Sequence, residues 1–456
     1  MITARAFAGK HYAVYGLARS GIATAEALLT SGARVTAWDA KEEARGRLTP
    51  SPRRVEGWGE GAQPSSELTT AEPPHPTLSP KGEGLLIANL DEIDLSGFDS
   101  LVLSPGVPLN RHPIAARARE AEVEIIGDIE LFARARPELP PHKVVGITGT
   151  NGKSTTTALV HHILKTAGVP TAMGGNIGLP ILAQDPLPGG GVYVLELSSY
   201  QIDLTQSLDC DVAVLLNITP DHLDRYESFE AYAAAKARLF EMQSPGQIAL
   251  VDWASFMKGL VDPVCGFNGL VLPDWVDPAA WPTLQGPHNA DNAAAAIEAT
   301  AWLGLEPTDI VQGLETYPGL PHRMERVREK DGVLFVNDSK ATNAEAAAPA
   351  LAAYPNVRWI LGGQAKSESL GDTAGQLGHV VKAYTIGEAG PMFATLLRTQ
   401  GIDVEECETL ENAVKRAAGD SQPGEVVLLS PASASFDQFR DFEARGDRFR
   451  GLVEGL

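Results

Sequence analysis

The chain has 456 residues, 44% of them apolar and 21% charged, an ordinary globular composition that excludes wholesale disorder and fibrous structure. At about 150 residues per domain, this length predicts three domains or two large ones. Lys and Arg total 37 against 58 Asp and Glu, a formal charge of −21, so the surface repels phosphate backbones and anionic lipid and argues against non-specific nucleic-acid or membrane binding, though not against a small phosphorylated ligand.

Short apolar runs alternate with Ala- and Leu-rich helical stretches, which predicts βα units and parallel sheets, an α/β fold. Residues 11–15 read as a strand, Gly16-Leu-Ala-Arg-Ser-Gly21 as a turn, 22–30 as a helix and Gly32 as its stop. A second strand spans 34–38 and ends at Asp39; a later one, 101–103, runs into Ser104-Pro105-Gly106. Together these predict a Rossmann-like domain over 1–130. Residues 49–84 break the pattern: they carry seven prolines and one aromatic, Trp58. Such a segment buries too little apolar surface to offset its ordering entropy, and it reads as a mobile surface insertion.

A central domain is expected over 131–319, with strands at 143–147, 192–197 and 211–218 and helices at 154–167 and 229–242. A C-terminal section, 320–456, has strand-like runs at 333–336, 357–361, 383–386 and 426–429. Cys210, Cys265 and Cys407 are isolated and odd in number, so they build no disulfide framework or zinc site, which fits a reducing, cytoplasmic setting. No uninterrupted apolar run reaches about 18 residues, and Arg5 and Lys10 precede no apolar h-region; neither a membrane span nor a secretion signal is expected.

The strongest chemical signal is Thr148-Gly-Thr-Asn-Gly-Lys-Ser-Thr155, between a buried strand and a helix. Glycines let backbone N–H groups close around phosphate, the helix start adds positive potential, Lys153 adds a point charge, and Ser154 or Thr155 can hold Mg²⁺. The spacing departs from the longer phosphate loop: Ile147 stands where its first glycine belongs. Glu196 ends a strand beside this loop, where a metal ligand is expected, although a strand-end carboxylate needs no such role. His222 lies between two acids and reads equally as a metal ligand or an ion-paired loop histidine. Lys236, on an Ala-rich helix face, reads by itself as a solvated lysine. In Gly16-Leu-Ala-Arg-Ser-Gly21, Ala18 replaces the middle glycine of a dinucleotide fingerprint, which disfavours an NAD-dependent oxidoreductase. The full set of metal-ligand candidates disfavours a non-catalytic nucleotide-binding regulator.

Gly149-Thr-Asn-Gly-Lys-Ser154 resembles the short phosphate loop of the Mur ligases, the ATP-dependent amino-acid-adding enzymes of peptidoglycan synthesis. Gly174-Gly-Asn-Ile-Gly178, Leu195-Glu-Leu-Ser-Ser199, Asp221-His222, Ala235-Lys236, His288-Asn-Ala-Asp-Asn292 and Leu320-Pro-His-Arg323 are similar to the same family. Asn337-Asp-Ser-Lys-Ala-Thr-Asn343 and Leu429-Ser-Pro-Ala-Ser-Ala-Ser435, followed by Phe436-Asp-Gln-Phe439, resemble its D-glutamate-adding member, and the run 338–343 argues against another Mur-type or folylpolyglutamate-type ligase with a different acceptor.

The resemblance implies three domains: a Rossmann-like domain for a UDP-sugar, a central ATPase domain and a C-terminal Rossmann-like domain for D-glutamate. It implies ATP and two Mg²⁺ ions, with Gly149, Thr150, Asn151, Gly152, Lys153, Ser154 and Thr155 around the phosphates. Ser154, Thr155, Glu196, His222 and Lys236 would serve the metals, Lys236 as a carbamate formed with CO₂. Asn292 would reach adenine, and Arg323 and Asp338 the nucleotide's phosphates and ribose. Arg19, Ser20, Asp39, Ser104, Pro105, Gly106 and Asn176 would contact the UDP-substrate. Lys340, Thr342, Lys366, Ser435, Phe436 and Phe442 would form the D-glutamate pocket, the two phenylalanines excluding water. The implied reaction adds D-glutamate to UDP-N-acetylmuramoyl-L-alanine through an acyl phosphate, in a cytoplasmic monomer that needs neither nucleic acid nor membrane.

Overall fold

The computed structural model describes residues 1–48, 84–221, 225–252, 255, 258–259, 266–281 and 283–456. The expected insertion at 49–84 lies outside them apart from Gly84, as do His222 and Cys265. The apolar runs form three sheets. The first has the order β3-β2-β1-β4-β5, from β1 (His11–Tyr15), β2 (Arg34–Trp38), β3 (Leu85–Ile87), β4 (Ser100–Leu103) and β5 (Glu124–Ile126). Every pairing in it is parallel.

The second sheet, also parallel throughout, has the order β11-β10-β9-β6-β8-β7. Its strands are β6 (His142–Thr148), β7 (Thr171–Gly175), β8 (Gly191–Glu196), β9 (Val212–Leu215), β10 (Ile248–Val251) and β11 (Gly266–Gly269). The third has the order β12-β13-β17-β14-β15-β16. Here β13 (Val333–Asn337), β14 (Val357–Gly362), β15 (Val380–Ile386), β16 (Val404–Glu408) and β17 (Val426–Leu429) are parallel. The edge strand β12 (Glu325–Lys330) is antiparallel. Parallel sheets need apolar cover on both faces, and the helices between strands supply it.

The strand order reverses at β1 in the first sheet and at β6 in the second, and open α/β sheets bind ligands outside the carboxyl ends of strands at such points. The loops after β1 and β4, and those after β6, β8 and β9, therefore occupy the functional edges.

Several boundaries differ from those read in the sequence. The first helix begins at Arg19, not residue 22, so Gly21 lies inside it. A Cβ on Gly21 would collide with the Gly16 carbonyl, so this helix packs on the turn only because position 21 has no side chain. Leu131, near which the second domain was expected to start, falls within the helix Asp128–Ala135. Phe132 of this helix packs edge-on to Tyr193 of β8, with ring centroids 5.1 Å apart. One apolar cluster runs from Val14 and Leu28 through Ile129 and Phe132 to Leu195 and Leu215, so the first two sheets share a core. The third sheet has its own clusters on its two faces. Among the described residues, no helix is long and apolar enough to cross a membrane.

The shared helix also carries buried charge. Glu130 is satisfied: it accepts from Arg134 Nε (2.9 Å), from the backbone N–H groups of Gln206 (2.7 Å) and Ser207 (2.9 Å), and from Ser207 Oγ (2.8 Å). Asp128 is not. Its Oδ1 accepts from Ile129 N at 3.1 Å, whereas its buried Oδ2 has no hydrogen-bond partner among the described residues. Burial pushes this carboxyl from 3.8 up to about 6. A raised acid pKa means that the folded state binds the proton more tightly than the unfolded state. The stability it contributes is complete below about pH 4 and lost as pH rises through 6, a cost of roughly 3 kcal/mol at about 1.4 kcal/mol per unit. Asp128→Asn is expected to raise the melting temperature by a few degrees at pH 8 and much less at pH 4.5. Scanning calorimetry at both pH values checks this; an equal shift at both would sink it.

Candidate active site

The loop between β6 and the helix Lys153–Thr166 is braced from both sides. Gly152 sits at the helix N-cap with φ +85°, a conformation costly for any other residue. Behind it stands Asn292, buried in the helix Pro287–Trp302, where a Cβ on Gly152 would collide with Asn292 Oδ1. Asn292 Oδ1 accepts from Thr156 Oγ1 (3.1 Å), and its amide donates to Asn289 Oδ1 (3.1 Å). On the other side, Asn217, just past β9, clasps the loop. Its Oδ1 accepts from Asn151 N (2.9 Å), its amide donates to Asn151 O (3.1 Å), and its carbonyl accepts from Thr150 N (2.9 Å). The conformation is thus imposed by the protein, as phosphate binding through backbone amides requires. Asn217 carried no role in the sequence reading; its place at the end of a buried strand beside the loop strand was the available signal.

Lys153 Nζ donates to the carbonyls of Gly149 (2.9 Å) and Thr150 (2.8 Å). Lys236, which the sequence pattern alone placed in solvent, is buried in the helix Phe229–Glu241. Its Nζ donates to the same Gly149 carbonyl at 2.9 Å and lies 4.7 Å from the centroid of the Tyr232 ring. Burial lowers the pKa of Lys153 and takes that of Lys236 well below the usual lysine value, with the Lys153 charge adding to the effect on Lys236. The Ala-rich pattern misled because the helix turns this face toward the phosphate loop.

Glu196 closes β8 and is buried. Its Oε1 accepts from Asn176 Nδ2 (2.9 Å), while its Oε2 has no hydrogen-bond partner among the described residues. Asn176, expected at the UDP-sugar, is tied to Glu196 by its backbone as well, donating to the Glu196 carbonyl at 2.8 Å. Arg323 reaches from the third domain and donates to Ser154 Oγ at 2.8 Å. It stands between His322 and Met324, both with positive φ (63° and 49°). Asp338 secures that segment: Met324 N donates to its Oδ1 (3.2 Å) and Ser430 Oγ to its Oδ2 (2.8 Å). Burial pushes the Asp338 carboxyl up to about 7.

The C-terminal residues divide into those near this centre and those away from it. Lys340 Nζ lies 4.1 Å from the centroid of the Phe442 ring, and burial lowers its pKa to about 8. Thr342 is half-buried and Ser435 buried. Lys366 is exposed and lines a cleft of about 190 Å³ together with Thr150, Asn151, Asp221 and Asn343. Phe436, expected to exclude water, is 69% exposed and does not line that cleft. Arg445 was missed. It is fully buried in the helix Phe442–Glu454 and donates to Ser339 Oγ (3.0 Å) and to the Ser339 (2.9 Å) and Ser433 (3.0 Å) carbonyls. It thereby joins the two C-terminal motif loops.

The remaining candidates gather at the carboxyl ends of β1, β2 and β4. Asp39 accepts from Leu17 N (2.7 Å) and Lys41 N (2.8 Å), and Ser104 Oγ donates to the Gly16 carbonyl (2.8 Å). Arg19 is exposed and Ser20 half-buried beside this turn, with Pro105 and Gly106 following Ser104.

The brace behind Gly152 leads to a test. Gly152→Ala should force Asn292 aside and strain a positive-φ residue, weakening nucleotide binding by roughly five- to 150-fold, as about one to three kcal/mol of local strain implies. Calorimetric titration with ATP checks this; wild-type affinity would show that the contact yields without cost.

Residues 147–257 match the family described as Mur ligase middle domain, and residues 322–433 match Mur ligase, glutamate ligase domain. A UDP-N-acetylmuramoylalanine--D-glutamate ligase of Novosphingobium aromaticivorans is 56% identical, across 100% of this chain and 97% of that protein. One of Zymomonas mobilis subsp. mobilis is 52% identical across 100% of both chains. Among solved structures, the UDP-N-acetylmuramate-alanine ligase of Thermotoga maritima shares the fold, with TM-score 0.57 and 18% identity over 98% of this chain and 99% of that one. With full-length relatives at this level of identity and both domain matches in order, the chain belongs to the Mur ligase family.

Proposed function

We propose that this protein joins D-glutamate to UDP-N-acetylmuramoyl-L-alanine, cleaving ATP to ADP and phosphate, in the synthesis of peptidoglycan precursors. The observation that carries the reading is the convergence of Lys153 and Arg323 on a preformed phosphate loop beside buried Glu196, in a chain that is otherwise strongly acidic. Such a concentration of cations suits a polyphosphate. The full-length relatives named for this reaction supply the identity of the acceptor.

In this reading the L-alanine carboxylate attacks the γ-phosphorus of ATP, giving an acyl phosphate and ADP. The amine of D-glutamate then attacks the acyl carbon, and phosphate leaves as the amide forms. Two anions must meet in the first step, so Lys153 and the loop amides from Gly149 to Thr155 hold the phosphates and offset their repulsion. Arg323 orients Ser154 from across the domain boundary, Asn292 keeps the loop in shape, and Asp338 fixes the segment that presents Arg323.

The donor set fits Mg²⁺: Glu196 Oε2 is buried with no hydrogen-bond partner among the described residues, and Ser154 and Thr155 open the helix. Mg²⁺ would supply charge neutralisation at the phosphates. Glu196, Ser154, Thr155, His222 and Lys236 are the residues assigned to two such ions. Lys236 fits carbamylation by CO₂, because burial favours the uncharged amine, which is the form that reacts, and the carbamate supplies oxygen ligands.

Lys340, Thr342, Lys366, Ser435 and Phe442 are assigned to D-glutamate, and Arg19, Ser20, Asp39 and Ser104 to Gly106 to the UDP moiety. The domains that carry these roles are taken as 1–130, 131–319 and 320–456, acting as a monomer in the cytoplasm.

Phosphate release from ATP with UDP-N-acetylmuramoyl-L-alanine should be strong with D-Glu and weak with L-Glu or L-Lys. Equal turnover with L-Lys would overturn the acceptor assignment. Lys236→Ala is expected to be nearly inactive, and to recover partly when formate or acetate is added, since a small carboxylate replaces the carbamate oxygens. Full activity in the unsupplemented variant would remove Lys236 from the centre.

A further inference from the structure

The first and second domains meet at a small cleft lined by Pro105, Val107, Asn110, Tyr200, Asp203 and Arg225. Arg225 is half-buried there and is held by both its side chain and its backbone. Its Nη2 donates to the Gly106 carbonyl at 2.9 Å, and its own carbonyl accepts from Asn110 Nδ2 at 2.8 Å. Both partners belong to the loop that continues Ser104-Pro105-Gly106. The Arg225 guanidinium carbon lies 4.3 Å from the centroid of the Tyr200 ring.

From Tyr200 the contacts continue inward. Its ring stacks on Tyr226, with centroids 6.1 Å apart and planes 19° apart. Tyr226 donates to Asp203 Oδ2 at 2.7 Å, which fixes its ring, and it packs 5.4 Å from Tyr232. The Tyr232 hydroxyl shares a 3.1 Å hydrogen bond with Thr150 Oγ1 in the phosphate loop, and its ring carries the Lys236 ammonium. Tyr200 also lies four positions after Glu196, in the short helix Ser199–Asp203 that a Ser198–Gln201 capping box fastens to the end of β8. An unbroken series of contacts thus runs from the Gly106 loop of the first domain to the phosphate loop of the second.

We propose that Arg225 is a positioning residue that couples occupancy of the Ser104-to-Gly106 loop by the UDP-substrate to the geometry of the phosphate-transfer centre, through the stack Tyr200–Tyr226–Tyr232. The proposal rests on the reading of that loop as part of the UDP-substrate site. The chemistry gives such coupling a use. An ATP cleaved before the acceptor carboxylate is in place is lost to water, so a centre that tightens only when the UDP-substrate loop is ordered favours productive transfer. Arginine suits this position because one planar group stacks on an aromatic ring and donates in its own plane at the same time; a lysine ammonium cannot do both.

The test uses the full chain, with calorimetric affinities for UDP-N-acetylmuramoyl-L-alanine and for ATP, steady-state phosphate release, and melting temperatures. Losing a charged hydrogen bond together with a cation–π contact, Arg225→Ala is expected to weaken UDP-substrate affinity about tenfold and to lower kcat at saturation by a similar factor. ATP affinity should stay within about twofold of wild type, because the phosphate loop keeps its own braces. Arg225→Lys should remain impaired. Tyr200→Leu should reproduce the kcat loss, Tyr200→Phe should not, and the Arg225→Ala/Tyr200→Leu double variant should be no worse than the poorer single one.

Multiplying losses in the double variant, or an equal fall in both affinities with a lowered melting temperature, would overturn the coupling and make Arg225 a structural residue. Wild-type kcat and affinities in Arg225→Ala would also overturn it. A wild-type protein that neither binds nor uses UDP-N-acetylmuramoyl-L-alanine would overturn the functional reading itself, and the coupling with it.

Discussion

Two lysine ammonium groups share one carbonyl oxygen, that of Gly149. Each lies 2.9 Å from that oxygen, so the two nitrogens are at most about 6 Å apart. If both were charged, an effective dielectric near 20 would put their repulsion at roughly 3 kcal/mol. That is a sizeable part of the net stability of a domain. It can be relieved by removing a proton from one lysine, or by bringing negative charge between and beside them. The lowered pKa values of Lys153 and Lys236 express the first route. The second is what a polyphosphate and a lysine carbamate would provide, and the surrounding structure is arranged for it. Asn217 and Asn292 hold the loop open, Glu196 presents an oxygen with no hydrogen-bond partner among the described residues, and Arg323 adds a cation from the third domain.

That constraint explains the division of labour among the domains. The first two share a core through the helix Asp128–Ala135 and are pinned by Glu130, so the loops at the ends of β1 and β4 keep a fixed relation to the phosphate loop. The third domain has its own core and meets the centre through a short segment whose backbone is held in a strained form at His322 and Met324. Such residues persist only when their surroundings impose them. Here the His322 ring packs against Gly446, and Asp338 takes up the Met324 amide. The strain sets the direction in which Arg323 leaves the third domain.

The phosphate loop, its flanking strand and helix, the first βα unit and the strand ending at Glu196 were legible in the sequence. Their signals are local: an apolar run, a glycine pair, a Lys-Ser-Thr start. Other elements were not. The edge strand Glu325–Lys330 reads as a charged stretch, and its polar alternation is what an exposed antiparallel edge needs. The helix start at Arg19 was hidden because Gly21 looks like a turn residue, whereas it serves close packing against Gly16. Arg445 carried no role in the sequence reading; only the fold shows it buried among backbone carbonyls. Phe436 was expected to exclude water at the acceptor pocket, and its loop leaves it in solvent.

By itself, the sequence determined that this is an α/β chain with a phosphate loop, and its motifs pointed to the Mur ligase family. Those properties depend on composition and on residues close together along the chain. Only the tertiary structure decided that Lys236 belongs beside Lys153, that Asn176 supports Glu196, and that Arg225 joins the first domain to the second. Each of these contacts pairs residues from different strands or helices. Spacing along a chain sets which face of an element a residue occupies, but not what that face meets, and burial and charge are decided where faces meet.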